Sequence, residues 1–259
     1  MGEGLGLPVP GTSHGQGCGE NNFMADATLL ERRTKLKKNF WKIMVLSFAF
    51  GIGWSITSSC FAKEISKSTQ EGWKLPAPKK KSRVSLEKAL NLRRSSKEGF
   101  SSKELKEKEI GQILWAARGV NRPNGKLTSP SAMARYSVSV YVATSKGTFL
   151  YIPENHSLLS ISNRDIRKGI GTQEYVKTAP VILIFVADFS KLSEFSMTRK
   201  ISFVSAEAGA IGENVYLQCA ALKLGTCFVA SVDKKFVKTA LEFEKDIEPL
   251  FIMPIGHSR

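Results

Sequence analysis

The chain reads as an α+β protein, a sheet core with helices packed on it, and three observations carry that expectation. Val138, Val140 and Val142 alternate with Ser137, Ser139 and Tyr141, the two-residue period of a half-buried strand. Val181–Ala187 is an unbroken apolar run bounded by Pro180 and Asp188, as a buried central strand requires. Ala208, Ile211, Val215, Cys219 and Leu222 recur at spacings of three and four, one face of a helix. Strands interleave with helices at irregular spacing, which favours α+β.

The elements follow in chain order. Residues 1–23 are Gly-rich and polar without apolar periodicity, and are expected to be disordered. Residues 24–62 have the pattern of a signal peptide. Arg32, Arg33, Lys35, Lys37, Lys38 and Lys42 precede the uncharged stretch Ile43–Ile56, and small residues lead to a cut after Ala62. Fourteen helical residues span about 21 Å against the roughly 30 Å of a hydrocarbon core, so cleavage is preferred to an uncleaved anchor. Acylation at Cys60 and twin-arginine export through Arg32-Arg33 are the alternatives. The expected destination is therefore export, to the periplasm. Residues 63–84 form a basic arm that Pro76 and Pro78 hold extended over the surface.

The domain proper is expected over residues 85–259. Leu86–Leu92 reads as a short helix capped by Ser85. A second helix is expected from about Ser101 to Ala117, with Ser101 and Glu104 as a capping box and Gly119 as its stop. Pro123, Asn124-Gly125 and Pro130 make a loop, and Gly169-Ile170-Gly171 a flexible turn. Gly225 is expected to end the long helix, with strands at Thr226–Val232 and Leu250–Ile255.

Composition excludes several classes. With 42% apolar and 24% charged residues the chain is neither disordered throughout, nor collagen-like, nor a polytopic membrane protein. Four cysteines are too few for a disulfide scaffold. Cys219 and Cys227 are expected to stay unpaired, Trp115 to lie in the core, and His156 to sit on a surface loop. The formal charge is +15, of which residues 63–108, with 14 basic and 6 acidic residues, hold +8. That segment leaves open an anionic-surface binder, although an export signal argues against nucleic acid.

No metal-ligand spacing and no Ser-His-Asp or Rossmann motif occurs. What survives is Arg93-Arg94-Ser95-Ser96-Lys97, three cations and two hydroxyls directly after a helix. Such a set suits a phosphate through guanidinium forks, hydroxyl donors and a point charge. Cations at a helix C-terminus also simply complement its dipole.

The cluster does not stand alone. Leu92–Lys97 with Phe100, then Ile113-Leu114-Trp115-Ala116-Ala117-Arg118-Gly119-Val120-Asn121-Arg122, then Pro130-Ser131-Ala132, Asn214-Val215-Tyr216-Leu217, Leu224-Gly225 and Pro254-Ile255-Gly256 follow in order. Over residues 74–257 this resembles the FMN-dependent nitroreductase-like family, nearest the thiazole/oxazole-forming dehydrogenases. The resemblance implies an antiparallel sheet flanked by helices and a homodimer with FMN at each subunit interface. It implies an oxidoreductase that passes hydride from NAD(P)H through the flavin to a small-molecule acceptor such as a nitro compound or quinone. Arg93, Arg94, Ser95 and Lys97 would hold the FMN phosphate, ribityl chain and N1/O2 edge. Pro130, Ser131 and Ala132 would line the ring from the partner subunit, and Ala230 and Ser231 would approach N5 through backbone N–H groups. Arg259 would stand for the family's C-terminal phosphate-gripping cation. Ala134 stands where relatives often carry Asn, which leaves open a flavin-binding protein with little turnover.

Overall fold

The computed structural model describes residues 73–258; the expectations for residues 1–72 and for Arg259 lie outside the described residues. The core is a seven-stranded sheet. In chain order its strands are β1 (Trp73–Lys74), β2 (Val138–Thr144), β3 (Gly147–Ile152), β4 (Ser157–Ser162), β5 (Val181–Asp188), β6 (Gly225–Thr226) and β7 (Ile247–Gly256). Across the sheet they run β1-β4-β3-β2-β5-β7-β6, and every neighbouring pair is antiparallel. The α+β expectation with an antiparallel sheet is therefore met.

β5 lies between β2 and β7, in register from Val138↔Ala187 and Val181↔Ile255. Its seven residues Val181–Ala187 are all buried, because both faces of the sheet are covered. One face carries Val140, Val142, Leu183 and Phe185 against α2 (Glu107–Arg118) and α5 (Met197–Leu222). The other carries Ile182, Ile184 and Ile252 against α3 (Arg167–Ile170), α4 (Glu174–Lys177) and α6 (Lys234–Ala240). Each such apolar side chain contributes about 1.5–3 kcal/mol on burial, so this two-sided strand anchors the domain.

Helix α1 (Leu86–Leu92) begins as expected, with Ser85 Oγ accepting from Lys88 N–H at 3.2 Å. α2 starts six residues later than its sequence pattern suggests. Phe100 is buried in an antiparallel bridge to Ser258, and Ser101 N–H donates to His257 O at 2.9 Å, so residues 100–101 are held extended. The N-terminal cap falls instead at Lys106, whose N–H donates to the Glu109 carboxylate at 2.7 Å. α5 runs for 26 residues and ends at Lys223, whose left-handed backbone (φ 59°) makes the stop assigned to Gly225. Gly225 instead lies in β6, where a Cβ would come within 3.0 Å of Ser96 Oγ and 2.9 Å of Ser258 Oγ. The strand expected over Thr226–Val232 shortens to β6 followed by two isolated bridges, Val229↔Ile252 and Gly171↔Val232.

Three minor expectations change. Gly169-Ile170-Gly171 is no flexible turn: Ile170 is fully buried, and Gly169 sits against the Phe236 ring, which leaves no room for a Cβ. Trp115 is half-buried rather than core, with its indole N–H donating to Val120 O. His156 is half-buried and fastens the arm. Its Nδ1 lies 2.8 Å from Tyr151 Oη, its Nε2 lies 3.1 Å from Pro76 O, and its carbonyl accepts from Leu75 N–H. Cys219 and Cys227 are buried free thiols, as expected. No helix among the described residues is long and apolar enough to cross a membrane.

Candidate functional site

Three groups of predicted residues are placed by the fold. The first is the stretch after α1, which leaves the helix extended at Arg93 (ψ 123°) and is stitched to β6 by Ser96 N–H donating to Thr226 O at 2.8 Å. Extended backbone sends alternate side chains to opposite sides. Arg93 and Ser95 turn to Tyr216 of α5: the Arg93 guanidinium lies 5.1 Å from the ring centroid, and Ser95 Oγ lies 2.8 Å from the phenol oxygen. Tyr216 also accepts from Phe228 N–H at 2.7 Å, and burial raises its phenol above the ordinary range. Arg94 and Ser96 face a cavity of about 400 Å³ shared with Lys223, Thr226 and Ser258. No carboxylate of the described residues lines it. Thr226 is buried, and its Oγ1 has no hydrogen-bond partner. Arg93, Arg94 and Lys97 have no ion-pair partner among the described residues. Two cations, three hydroxyls and no acid make a cradle for an anion. Lys97 is not brought into it; it lies in a separate recess with Glu98, Glu174 and Tyr175.

The second group, Pro130–Ala132, opens a strained segment. Met133, Ala134 and Tyr136 all have left-handed backbone, at φ 50°, 54° and 48°. Such conformations are costly for residues with a Cβ and persist where the surroundings fix them. The fixing group is Glu207 of α5, whose buried carboxylate pairs with Arg118 of α2. It accepts from Ser131 Oγ (2.6 Å), Ser137 Oγ (3.1 Å) and Val138 N–H (3.1 Å). Ser131 Oγ in turn accepts from Tyr136 N–H at 2.8 Å. The Ser131 hydroxyl is thus committed inward, while Pro130, Met133 and Ala134 stay exposed. Burial pulls the Arg118 guanidinium down, and the Glu207 charge pushes it back up.

The third group, Ala230 and Ser231, is exposed just after the Val229 bridge, and neither N–H has a partner among the described residues. Ala230 lines an apolar recess with Phe189, Met197 and Ile201. Within one chain the first two groups meet α5 at Tyr216 and Glu207. Nine residues of helix separate these, or about 14 Å.

Arg118, Glu207, Tyr216 and Thr226 were not picked out as site residues by sequence reasoning. Arg118 and Glu207 did leave a trace, each being a charge set on an otherwise apolar helix stripe. Tyr216 left only its place in the Asn214–Leu217 match and Thr226 left none, since only the fold brings them to the Arg93–Lys97 stretch.

Fold and site define an antiparallel-sheet α+β protein with a cationic cradle at the end of its long helix. The chain belongs to the nitroreductase family, whose profile matches residues 90–257, and has the general oxidoreductase role of that family. It is 32% identical over 183 residues to a protein of Methanocaldococcus jannaschii named as a nitroreductase, covering 67% of this chain and 91% of that one. A crystal structure from Ralstonia eutropha, also named as a nitroreductase, is 33% identical with a TM-score of 0.70, covering 74% of this chain and 91% of the other. The NADPH:FMN oxidoreductase of Vibrio harveyi, solved with NAD+, is similar in fold at 17% identity and a TM-score of 0.50, covering 67% and 68%.

Proposed function

We propose that the protein is an FMN-dependent NAD(P)H oxidoreductase, working as a homodimer on a small acceptor such as a nitro compound or quinone. The observation that carries the reading is the cradle of Arg94, Ser96, Lys223, Thr226 and Ser258, which no carboxylate of the described residues lines. That donor set fits a phosphate monoester. When bound, FMN supplies the centre that takes up and gives back hydride. The chain's own part is to bind, orient and shield. Arg94 grips the phosphate end from the cradle, and Arg93 and Ser95, turned to the other side of the stretch with rotamers fixed by Tyr216, are assigned to the ribityl chain. Lys97 is assigned to the N1/O2 edge, where a cation favours negative charge. The unpaired N–H groups of Ala230 and Ser231 are donors for N5. Pro130–Ala132 comes from the second copy, on a segment that Glu207 and Arg118 hold in one conformation.

The exposed apolar side chains Leu86, Leu90, Leu92, Met133, Met197 and Ile201 support the dimer, since a second copy would cover them. Export through residues 24–62 belongs to the same proposal. The test is the absorbance spectrum of the purified protein, followed by anaerobic bleaching with NADH and NADPH. Flavin bands, FMN released on heating and bleaching by a nicotinamide are expected. A colourless protein that takes up no added FMN overturns the reading. Ala134, with φ 54° at a place where Asn is easier, favours a second reading of flavin binding with little turnover. Bound FMN without steady NAD(P)H oxidation would select it.

A further inference from the structure

The basic arm takes no part in the site above, yet it is held as firmly. Pro76 and Pro78 keep it extended, and His156 and Leu75 fasten its start. Farther on, Lys79 N–H donates to Gln112 Oε1 at 2.8 Å, and Gln112 Nε2 donates back to Lys79 O at 3.2 Å. The cations that follow are therefore presented on backbone fixed to α2.

Between this arm, α2 and α5 lies a groove of about 630 Å³. Lys79, Lys80, Lys81 and Arg83 line it from the arm, and Lys108 lines it from α2. None of the five is ion-paired among the described residues. Among the described residues the one carboxylate in the lining is Glu109, whose Oε2 accepts from the Lys106 N–H, so five cations outnumber a single acid. Like charges clustered on a fixed frame repel one another and focus a positive potential into the groove.

The facing wall is different in kind. Trp115, Ala221 and Leu222 are half-buried and give it apolar surface; the indole N–H of Trp115 is already donated to Val120 O. Gln218 Oε1 accepts from Gln112 Nε2 at 3.3 Å, which leaves the Gln218 NH₂ to donate to a ligand carbonyl. One side thus asks for anions, the other for apolar groups, and the lining offers one amide donor.

An extended peptide meets all three demands, because its side chains alternate between two faces and its carbonyls lie between them. A polyphosphate has nothing to bury against Trp115 and Leu222, and a concave groove does not fit a flat lipid surface. We propose that this groove binds an acidic, partly apolar peptide segment in extended form, belonging to a protein partner. The proposal is independent of the flavin reading.

The test uses the full chain and a fluorescein-labelled decapeptide of alternating Glu and Leu, read by anisotropy. Saturable binding that weakens as salt rises is expected. The Lys79→Glu/Lys81→Glu/Lys108→Glu variant should bind about tenfold or more weakly, with an unchanged thermal unfolding transition. The milder Lys79→Gln/Lys81→Gln/Lys108→Gln variant should fall between the two, and a Glu–Ser decapeptide should bind more weakly than the Glu–Leu one. Absence of binding, or equal binding by wild type and both variants, overturns the proposal. So does displacement of the probe by tripolyphosphate at lower concentration than by unlabelled peptide, which would mark a phosphate site. Charge-dependent capture by phosphatidylglycerol vesicles without peptide binding would mark a membrane-facing surface and equally overturn it.

Discussion

Glu207→Gln is the most informative single change in this molecule. The side chains of Glu207 and Arg118 are 1% and 4% exposed, so water cannot take over when one charge is removed. The substitution keeps the size and one acceptor oxygen, but it leaves a buried guanidinium without its counter-charge. It also turns an NH₂ group either toward the hydroxyls of Ser131 and Ser137, which now donate to Oε2, or toward the Val138 N–H and Arg118, which now donate to Oε1. Removing one partner of a buried ion pair costs about 3–5 kcal/mol. For a domain of this size that lowers the melting temperature by about 6–20 °C. Arg118→Met/Glu207→Gln removes both charges and keeps an acceptor, so it should recover to within about 2 kcal/mol of wild type. Thermal unfolding of the three proteins, with limited proteolysis at Pro130–Tyr136, reads both effects. A single variant that melts with wild type, or a double variant no better than the single, would refute the reasoning.

Three further outcomes are expected. Arg93→Ala and Arg94→Ala should each weaken FMN binding by about 10- to 150-fold while changing stability by about 1 kcal/mol or less; fluorescence titration of FMN checks this, and wild-type affinity in both would return the cluster to a solvated helix end. Burial holds His156 below its ordinary value of 6.5. The folded protein therefore binds its proton less readily than the unfolded chain, and the stability His156 contributes is present above about pH 6.5 and is lost as pH falls below it. Melting curves over that range should show a smaller acid loss in His156→Gln than in wild type. Cys219 is buried, and that burial drives its thiol well up, so it should react with a thiol reagent only on unfolding, as peptide mapping after timed alkylation would show.

The legible parts of the fold were those whose burial is one-sided or complete. The apolar run of β5 and the stripe from Ala208 to Leu222 announce themselves because no polar residue interrupts the buried face. β3 and β4 were silent because hydroxyls break their pattern: Thr148 and Ser157 are buried, and Ser160 and Ser162 alternate with apolar neighbours. The start of α2 was misplaced because the capping pattern at Ser101 lost to a long-range bridge with Ser258, which no local rule contains. The candidate site divides the same way. Arg93–Lys97 is conspicuous as a charge cluster, but its partner Tyr216 is 121 residues away from Ser95, and Glu207 is 89 residues from Arg118. Both contacts exist only once α5 lies along the sheet.

The two outermost strands, β1 and β6, are each two residues long, while the central strands run from seven to ten. Strands that short cover only part of their neighbours: the outer sides of β4 from Leu159 to Ser162 and of β7 from Ile247 to Phe251 have no strand partner among the described residues. These stretches keep backbone donors and acceptors on offer to a further strand, and Pro249, which has no N–H to give, interrupts the one along β7.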